Sequence, residues 1–215
     1  MSVKLISVSK PVISECETAE DLIAYCARVS NPSNQANTET SGKLLKYLVT
    51  HNHWSPFEMV SMTLEIKTTR DIARQILRHR SFSFQEFSQR YAEVLEEPVF
   101  REARLQDSKN RQSSVYVNDK ELQSLWLEAQ TQSAILARQT YEYAIRLGIA
   151  KEVARSVLPE GLTPTTMYMS GTIRSWIHYI QLRCGNGTQK EHRLIAEDCK
   201  LVLLSQFQSL QEVLS

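Results

Sequence analysis

From Val60 to Lys67 the chain alternates without a break: Val60, Met62, Leu64 and Ile66 fall on one side, and Ser61, Thr63, Glu65 and Lys67 on the other. A period of two sets one apolar row against a core and one polar row toward water, which predicts a half-buried strand. The spacing then changes to that of a helix, with Ile72, Ala73, Ile76 and Leu77 inward. Helices and a few strands alternate along the rest of the chain, so the fold class is mixed, α/β (α+β).

Val3 to Ser9 reads as a first strand closed by Pro11, and Ser14-x-x-Glu17 as a capping box. The helix it opens carries Leu22, Ile23, Cys26 and Val29 and ends at Ser30. A polar loop runs through Thr40, and Leu44, Leu45, Leu48 and Val49 mark a second helix. Glu93 to Ser114 is charged and irregular, a lid or variable loop with a short strand near Val99–Phe100. Asn118-x-x-Glu121 caps a long helix whose apolar positions include Leu122, Leu125, Ala129, Ile135 and Leu136, continuing to Gly148. A shorter helix over 150–158 stops at Pro159, a strand covers Thr165 to Met169, and Ile173, Trp176, Ile177 and Ile180 form the core face of the next helix. Thr188-x-x-Glu191 caps the last one.

The 215 residues suit one domain, 1–215, and 42% hydrophobic content with a net charge of +1 describes a soluble globular chain. A general nucleic-acid binder would be far more basic. Positive charge is local instead: five arginines stand between Arg70 and Tyr91 against Asp71 and Glu86, which favours a small anionic ligand. Cys16, Cys26, Cys184 and Cys199 form no CxxC pair and no zinc spacing, and read as reduced thiols of a cytoplasmic protein. His51 and His53 lack a carboxylate or cysteine at ligand spacing, so no metal is expected. No apolar run reaches the length of a membrane span, and no signal-peptide pattern opens the chain. Gly185-x-Gly187 lacks a third glycine and does not follow a strand, which argues for a non-Rossmann fold.

The densest chemistry lies in Arg78-His79-Arg80-Ser81-Phe82-Ser83-Phe84-Gln85-Glu86-Phe87-Ser88-Gln89-Arg90-Tyr91. Arg78, Arg80 and Arg90 can fork onto phosphate oxygens. In an extended segment Glu86, Ser88 and Arg90 face one way and Phe87, Gln89 and Tyr91 the other. Gln75 and Arg78 share a helical surface just before it. The stretch closely resembles the signature of the flavin-dependent thymidylate synthases, Arg-His-Arg followed by Ser-x-Asn-Glu-x-Ser-x-Arg-Tyr, with Gln85 where the family has Asn. The resemblance runs from Ser30 to Arg183.

That resemblance implies helices around a small, mostly antiparallel sheet, FAD as cofactor, and NADPH and 5,10-methylenetetrahydrofolate as co-substrates. It implies reductive methylation of dUMP to dTMP in a homotetramer whose active sites are shared between subunits; the charge and the lack of an apolar span already argue against a nucleic-acid or membrane partner. By the same carry-over, Ser30, His53, Ser55, Arg78, His79, Arg80, Gln85 and Glu86 bind the flavin nucleotide. Thr172, Ile173, Arg174, His178 and Leu182 join them from the later helix, Thr172 standing where the family has Asn. The dUMP contacts map to Gln75, Ile76, Leu77, Arg78, Glu86, Phe87, Ser88, Gln89, Arg90, Arg155 and Arg183; Arg155 opens an Arg-x-x-Leu-Pro element. Past Arg183 the family's histidine is missing, and Gly185-Asn186-Gly187-Thr188-Gln189 stands there instead.

No cysteine occupies a nucleophile setting, which leaves electrostatic activation of the pyrimidine. Arg183 fits the role of holding the uracil as its anion or enolate, since a fixed guanidinium stabilises charge that develops on the ring. Two other classes of function use the same residues: a non-catalytic nucleotide sensor, which would be colourless, and an RNA-binding module stacking bases on the interleaved phenylalanines, which would bind with steep salt dependence.

Overall fold

The alternation at 60–67 becomes the second strand of a four-stranded antiparallel sheet. The computed structural model describes residues 1–214. In chain order its elements are β1 (Ser2–Val8), α1 (Ala19–Ala27), α2 (Ser41–Thr50), β2 (Ser61–Thr69), α3 (Arg70–Ile76), β3 (Ser83–Glu86), β4 (Arg104–Gln106) and β5 (Ser114–Tyr116). They continue with α4 (Lys120–Arg146), α5 (Lys151–Ala154), β6 (Pro164–Thr172), α6 (Ile173–Arg183), α7 (Lys190–Gln206) and α8 (Gln211–Leu214). The sheet order is β1-β2-β6-β3, and β4 pairs with β5 in a separate hairpin. The expected mixture of helices and a small antiparallel sheet is what the chain forms.

Nine register pairs, from Ser61↔Thr172 to Thr69↔Pro164, join β2 to β6 at the centre of the sheet. One face carries Met62, Leu64, Ile66, Met167 and Met169, all fully buried, in a core with residues of α1, α2, α3, α6 and α7. The other face is polar: the Thr63 hydroxyl donates to Ser170 Oγ at 2.8 Å and the Tyr168 hydroxyl to the Glu65 carboxylate at 2.9 Å. Such one-sided burial is what strict alternation predicts. The buried Trp176 indole N–H donates to the Met62 carbonyl at 2.9 Å, tying α6 to β2.

Several boundaries differ from the sequence reading. The first capping box is Thr18 with Asp21, not Ser14 with Glu17, and α1 stops at Ala27. Arg28 then turns its guanidinium onto the Asn37 carbonyl and the Thr40 hydroxyl, holding the polar loop. Asp119, one residue past Asn118, caps α4, and α7 begins after Gln189 with no side-chain cap. No strand forms at 99–100; pairing occurs at 104–106 and 114–116. The extended segment expected to reach Tyr91 ends at Glu86, and the Tyr91 and Ala92 N–H groups fold back onto the Ser88 carbonyl.

The stripe assigned to α4 is the largest correction: Leu125, Ile135 and Leu136 are 58%, 52% and 66% exposed. Two amides hold the inner side of this helix in their place. Gln130 accepts from the Arg101 N–H and donates to its carbonyl, both at 2.9 Å, and Gln123 does the same for Ala103 at 2.8 and 2.9 Å. Each amide pairs the strap 101–103 as a neighbouring strand would, which satisfies main-chain groups a helix cannot otherwise reach.

Gly171 is required by packing. A Cβ there would lie 2.4 Å from Phe82 Cδ1, and the Phe82 ring is itself packed edge-on against Trp176 at 4.8 Å. Gly171→Ala is therefore expected to destabilise the fold by about 1–3 kcal/mol. Gly187→Ala, which meets no atom within 4 Å, should stay within about 0.5 kcal/mol. Paired thermal melts check this, and equal melting temperatures would refute the packing assignment.

Candidate functional site

Three groups of candidate residues assemble around α3 and α6. At the C-terminal ends of the two helices, Arg183 Nε donates to His79 Nε2 at 2.8 Å, and the His79 ring stands edge-on to Tyr179 at 4.9 Å. A guanidinium is never an acceptor, so His79 Nε2 must carry a lone pair and the imidazole is neutral. Burial, then the charges of Arg183 and Arg78, bring the His79 pKa down to about 4. His79 is thus a neutral acceptor between the cations Arg78 and Arg80. The terminal nitrogens of Arg183 have no hydrogen-bond partner among the described residues, and neither Arg78 nor Arg80 has a hydrogen-bond or ion-pair partner there. These free donors face ligand or solvent.

The second group forms a ledge. Asn52, in the left-handed region at φ 58°, turns the chain between α2 and the 3-10 turn Ser55–Glu58 and displays His53, Trp54 and Ser55. Trp54 meets the His178 ring edge-on at 4.6 Å. Partial desolvation, then the charge of Arg174, hold the His178 pKa below its ordinary value. Arg174 itself forms a close ion pair with Glu58, and Leu182 is 61% exposed on the same helix. Thr172 spends its hydroxyl capping α6, accepting from the Ser175 N–H. Exposed Ser30 lies just beyond α1, and Gln85 lies on β3. Ile173 and Ile76 are fully buried in the core, so neither side chain reaches a ligand.

The third group surrounds a cleft of about 320 Å³ at the N-terminal end of α3, lined by Arg70, Arg74, Gln89, Glu152, Arg155 and Glu160 among others. Arg155 and Gln89 were expected at a nucleotide; Arg70 and Arg74 were not. Gln89 is buried with Nε2 unpartnered, so a donor is available to an anion there. Arg90 reaches the cleft rim through Glu152 at 3.4 Å. Glu86 does not point outward with Ser88 and Arg90, because its carboxylate is held by buried Arg70 at 3.3 Å and by the Thr165 hydroxyl at 2.9 Å. Phe87 is exposed and anchored by its N–H to the Thr166 carbonyl. Leu77 is half-buried between the groups.

Sequence reasoning also passed over His192 and Tyr179, both buried behind His79. The signal was present: His192 falls on one helical face with Ile195, Ala196, Cys199 and Leu203, an apolar stripe on which a histidine must find partners. Burial raises the pKa of all four thiols, Cys16, Cys26, Cys184 and Cys199, away from the reactive thiolate.

The profile of the family described as "Thymidylate synthase complementing protein" matches residues 11–206. The chain is 55% identical over 214 residues to the "probable flavin-dependent thymidylate synthase" of Paramecium bursaria Chlorella virus 1, covering 100% of this chain and 99% of that one. It is 50% identical over 217 residues to the flavin-dependent thymidylate synthase of Synechocystis, covering 100% and 99%. Among solved structures, the UMP/dUMP methylase PolB of Streptomyces cacaoi bound with 5-Br UMP matches at a TM-score of 0.82 and 25% identity, covering 98% of this chain and 93% of that one.

Neutral burial of two imidazoles makes stability pH-dependent. Burial, then Arg183 and His79, bring the His192 pKa down to about 3, against an ordinary 6.5. Between these values the unfolded chain binds the extra proton, so stability is intact above about pH 6.5 and falls as the pH drops toward 3–4, by at most about 1.4 kcal/mol per unit for each imidazole. Denaturant melts across this range should show the fall, and His192→Asn should remove its share. An unchanged slope in the variant would contradict a neutral, buried His192.

Proposed function

Because this chain belongs to the thymidylate synthase complementing protein family, the flavin-dependent thymidylate synthases, we propose that it converts dUMP to dTMP by reductive methylation. The carbon comes from 5,10-methylenetetrahydrofolate, and FAD, when bound, supplies hydride transfer from NADPH. One observation carries the reading: the Arg183 guanidinium has its inner Nε fixed on a neutral histidine and its terminal nitrogens without a partner among the described residues. A donor oriented in advance lowers the energy of a developing anion without reorganising during the reaction. Its Nη groups would hold the pyrimidine oxygens and N3 as the ring becomes nucleophilic at C5. The raised thiol pKa values fit this route, which needs no sulfur nucleophile.

The residues fit the flavin nucleotide. Arg78 and Arg80 are free cations for its pyrophosphate, and the ledge of His53, Trp54, Ser55 and His178 offers ring edges and hydroxyl for the rest. Breaking the Arg174–Glu58 pair would free a further guanidinium. Arg155, Arg90, Ser88 and Gln89 take the phosphate and ribose of dUMP, with Arg70 and Arg74 adding charge to the cleft.

Arg183 and Arg155 stand near opposite ends of α3, whose seven residues span about 10 Å. By family resemblance the reading includes a homotetramer with shared active sites, in which each site would join one subunit's Arg183 to a partner's cleft. The exposed face of α4 supplies apolar surface for such an assembly.

Purified protein given dUMP, methylenetetrahydrofolate, NADPH and FAD is expected to form dTMP, and Arg183→Ala should lower kcat by about 100- to 1,000-fold. Arg155→Ala should act on KM for dUMP. Co-expressed Arg183→Ala and Arg155→Ala subunits should recover activity at low dUMP, since about a quarter of randomly assembled sites regain both arginines. No recovery would refute shared sites, and normal turnover by Arg183→Ala that still binds dUMP would refute the role of Arg183.

A further inference from the structure

Behind Arg183 runs a chain of hydrogen bonds whose direction can be deduced from one end. The Glu191 carboxylate accepts from Arg104 at 2.7 Å and from Gln189 Nε2 at 2.9 Å. Burial pushes this carboxyl up, but its own N–H, Gln189 and Arg104 outweigh that and leave it below the ordinary value, hence ionised and acceptor-only. Gln189 must therefore turn its amide nitrogen to Glu191 and its oxygen to Gln75. Gln75 Nε2 donates to that oxygen at 2.7 Å, which leaves Gln75 Oε1 facing His192 Nδ1 at 3.2 Å. An amide oxygen only accepts, so Nδ1 carries the proton. His192 Nε2 is then the acceptor for the Tyr179 hydroxyl at 3.1 Å. Every amide flip and the tautomer follow from the one carboxylate.

We propose that His192 is a positioning residue for substrate binding: held as its Nδ1–H tautomer, it locks the orientation of the Gln75 amide on one side and seats Tyr179 beneath His79 and Arg183 on the other. His192 is fully buried and touches no ligand itself. With Gln75 Nε2 committed to Gln189 and Oε1 to His192, one N–H of the amide remains for a nucleotide, in a single orientation. Because the chain begins at Arg104 on β4, the β4–β5 hairpin is coupled through Glu191 and Gln189 to Gln75, near the C-terminal end of α3. This inference rests on the reading of Gln75 as a dUMP contact.

Two substitutions separate the arms. In His192→Asn the side-chain amide nitrogen can stand where Nδ1 stood and keep the Gln75 bond; in His192→Gln the amide reaches the Nε2 position and keeps only Tyr179. KM for dUMP is expected to stay within about threefold of wild type in His192→Asn and to rise about tenfold in His192→Gln, the effect of one oriented hydrogen bond, with kcat changing less than KM in both. Equal KM values in the two variants would overturn the inference, because loss of packing alone does not distinguish them. Gln75→Leu tests the underlying reading separately: an unchanged KM there would refute the Gln75 contact, whereas a raised KM beside an unaffected His192→Gln would refute only the positioning role. If both His192 variants fail to fold, long-range proton–nitrogen NMR of the histidine-labelled wild-type protein decides: protonation of His192 at Nδ1 supports the inference, and protonation at Nε2 overturns it.

Discussion

Antiparallel pairing of β2 with β6 sets the geometry on which the site depends. Each strand passes without a loop into a helix, Thr69 into α3 and Thr172 into α6, and these junctions lie at opposite ends of the paired strands. The two helices run back toward one another, and their C-terminal ends meet where Arg183 binds His79. The C-terminal ends of two helix dipoles converge there, a partial negative charge that favours cations by about 0.3–1 kcal/mol each. Arg78, Arg80 and Arg183 gather at that point. Burial, then the charges of Arg183 and Arg78, keep the histidine at this point neutral, and it serves as an acceptor.

The same convergence explains why the helix cores are so constrained. The Phe82 ring lies against Gly171 and packs edge-on against Trp176. Trp176 in turn is fixed by its indole bond to Met62. These contacts place the free arginines on a rigid base rather than on a loose turn, which is what electrostatic pre-organisation requires.

Period-two alternation at 60–67 and helical spacing at 173–180 were legible because both are local patterns that burial merely confirms: Met62, Leu64, Ile66, Ile173, Trp176 and Ile177 are all fully buried. The roles given to Arg183 and Arg155 rest only on resemblance to a family, since an arginine's partners leave no trace in spacing. The caps were misplaced by one to four residues because Ser14, Thr18, Asn118 and Asp119 are equally good cap residues and tertiary contacts choose among them. Exposed leucines on α4 misled for another reason: apolar periodicity marks a face that will be covered without saying whether the same chain covers it. The partners of Glu86 and His192 were illegible, because a buried ion pair or a bonded imidazole joins residues far apart in sequence.

Electrostatic activation by Arg183 is tested most directly on the nucleotide itself. Carbon-13 NMR of dUMP labelled at C4, titrated with base while bound to the protein, reports the ionisation of N3 without requiring turnover. Bound dUMP should lose its N3 proton at lower pH than free dUMP, because the unpaired guanidinium nitrogens stabilise the anion. A midpoint unchanged or raised on binding would contradict the assignment.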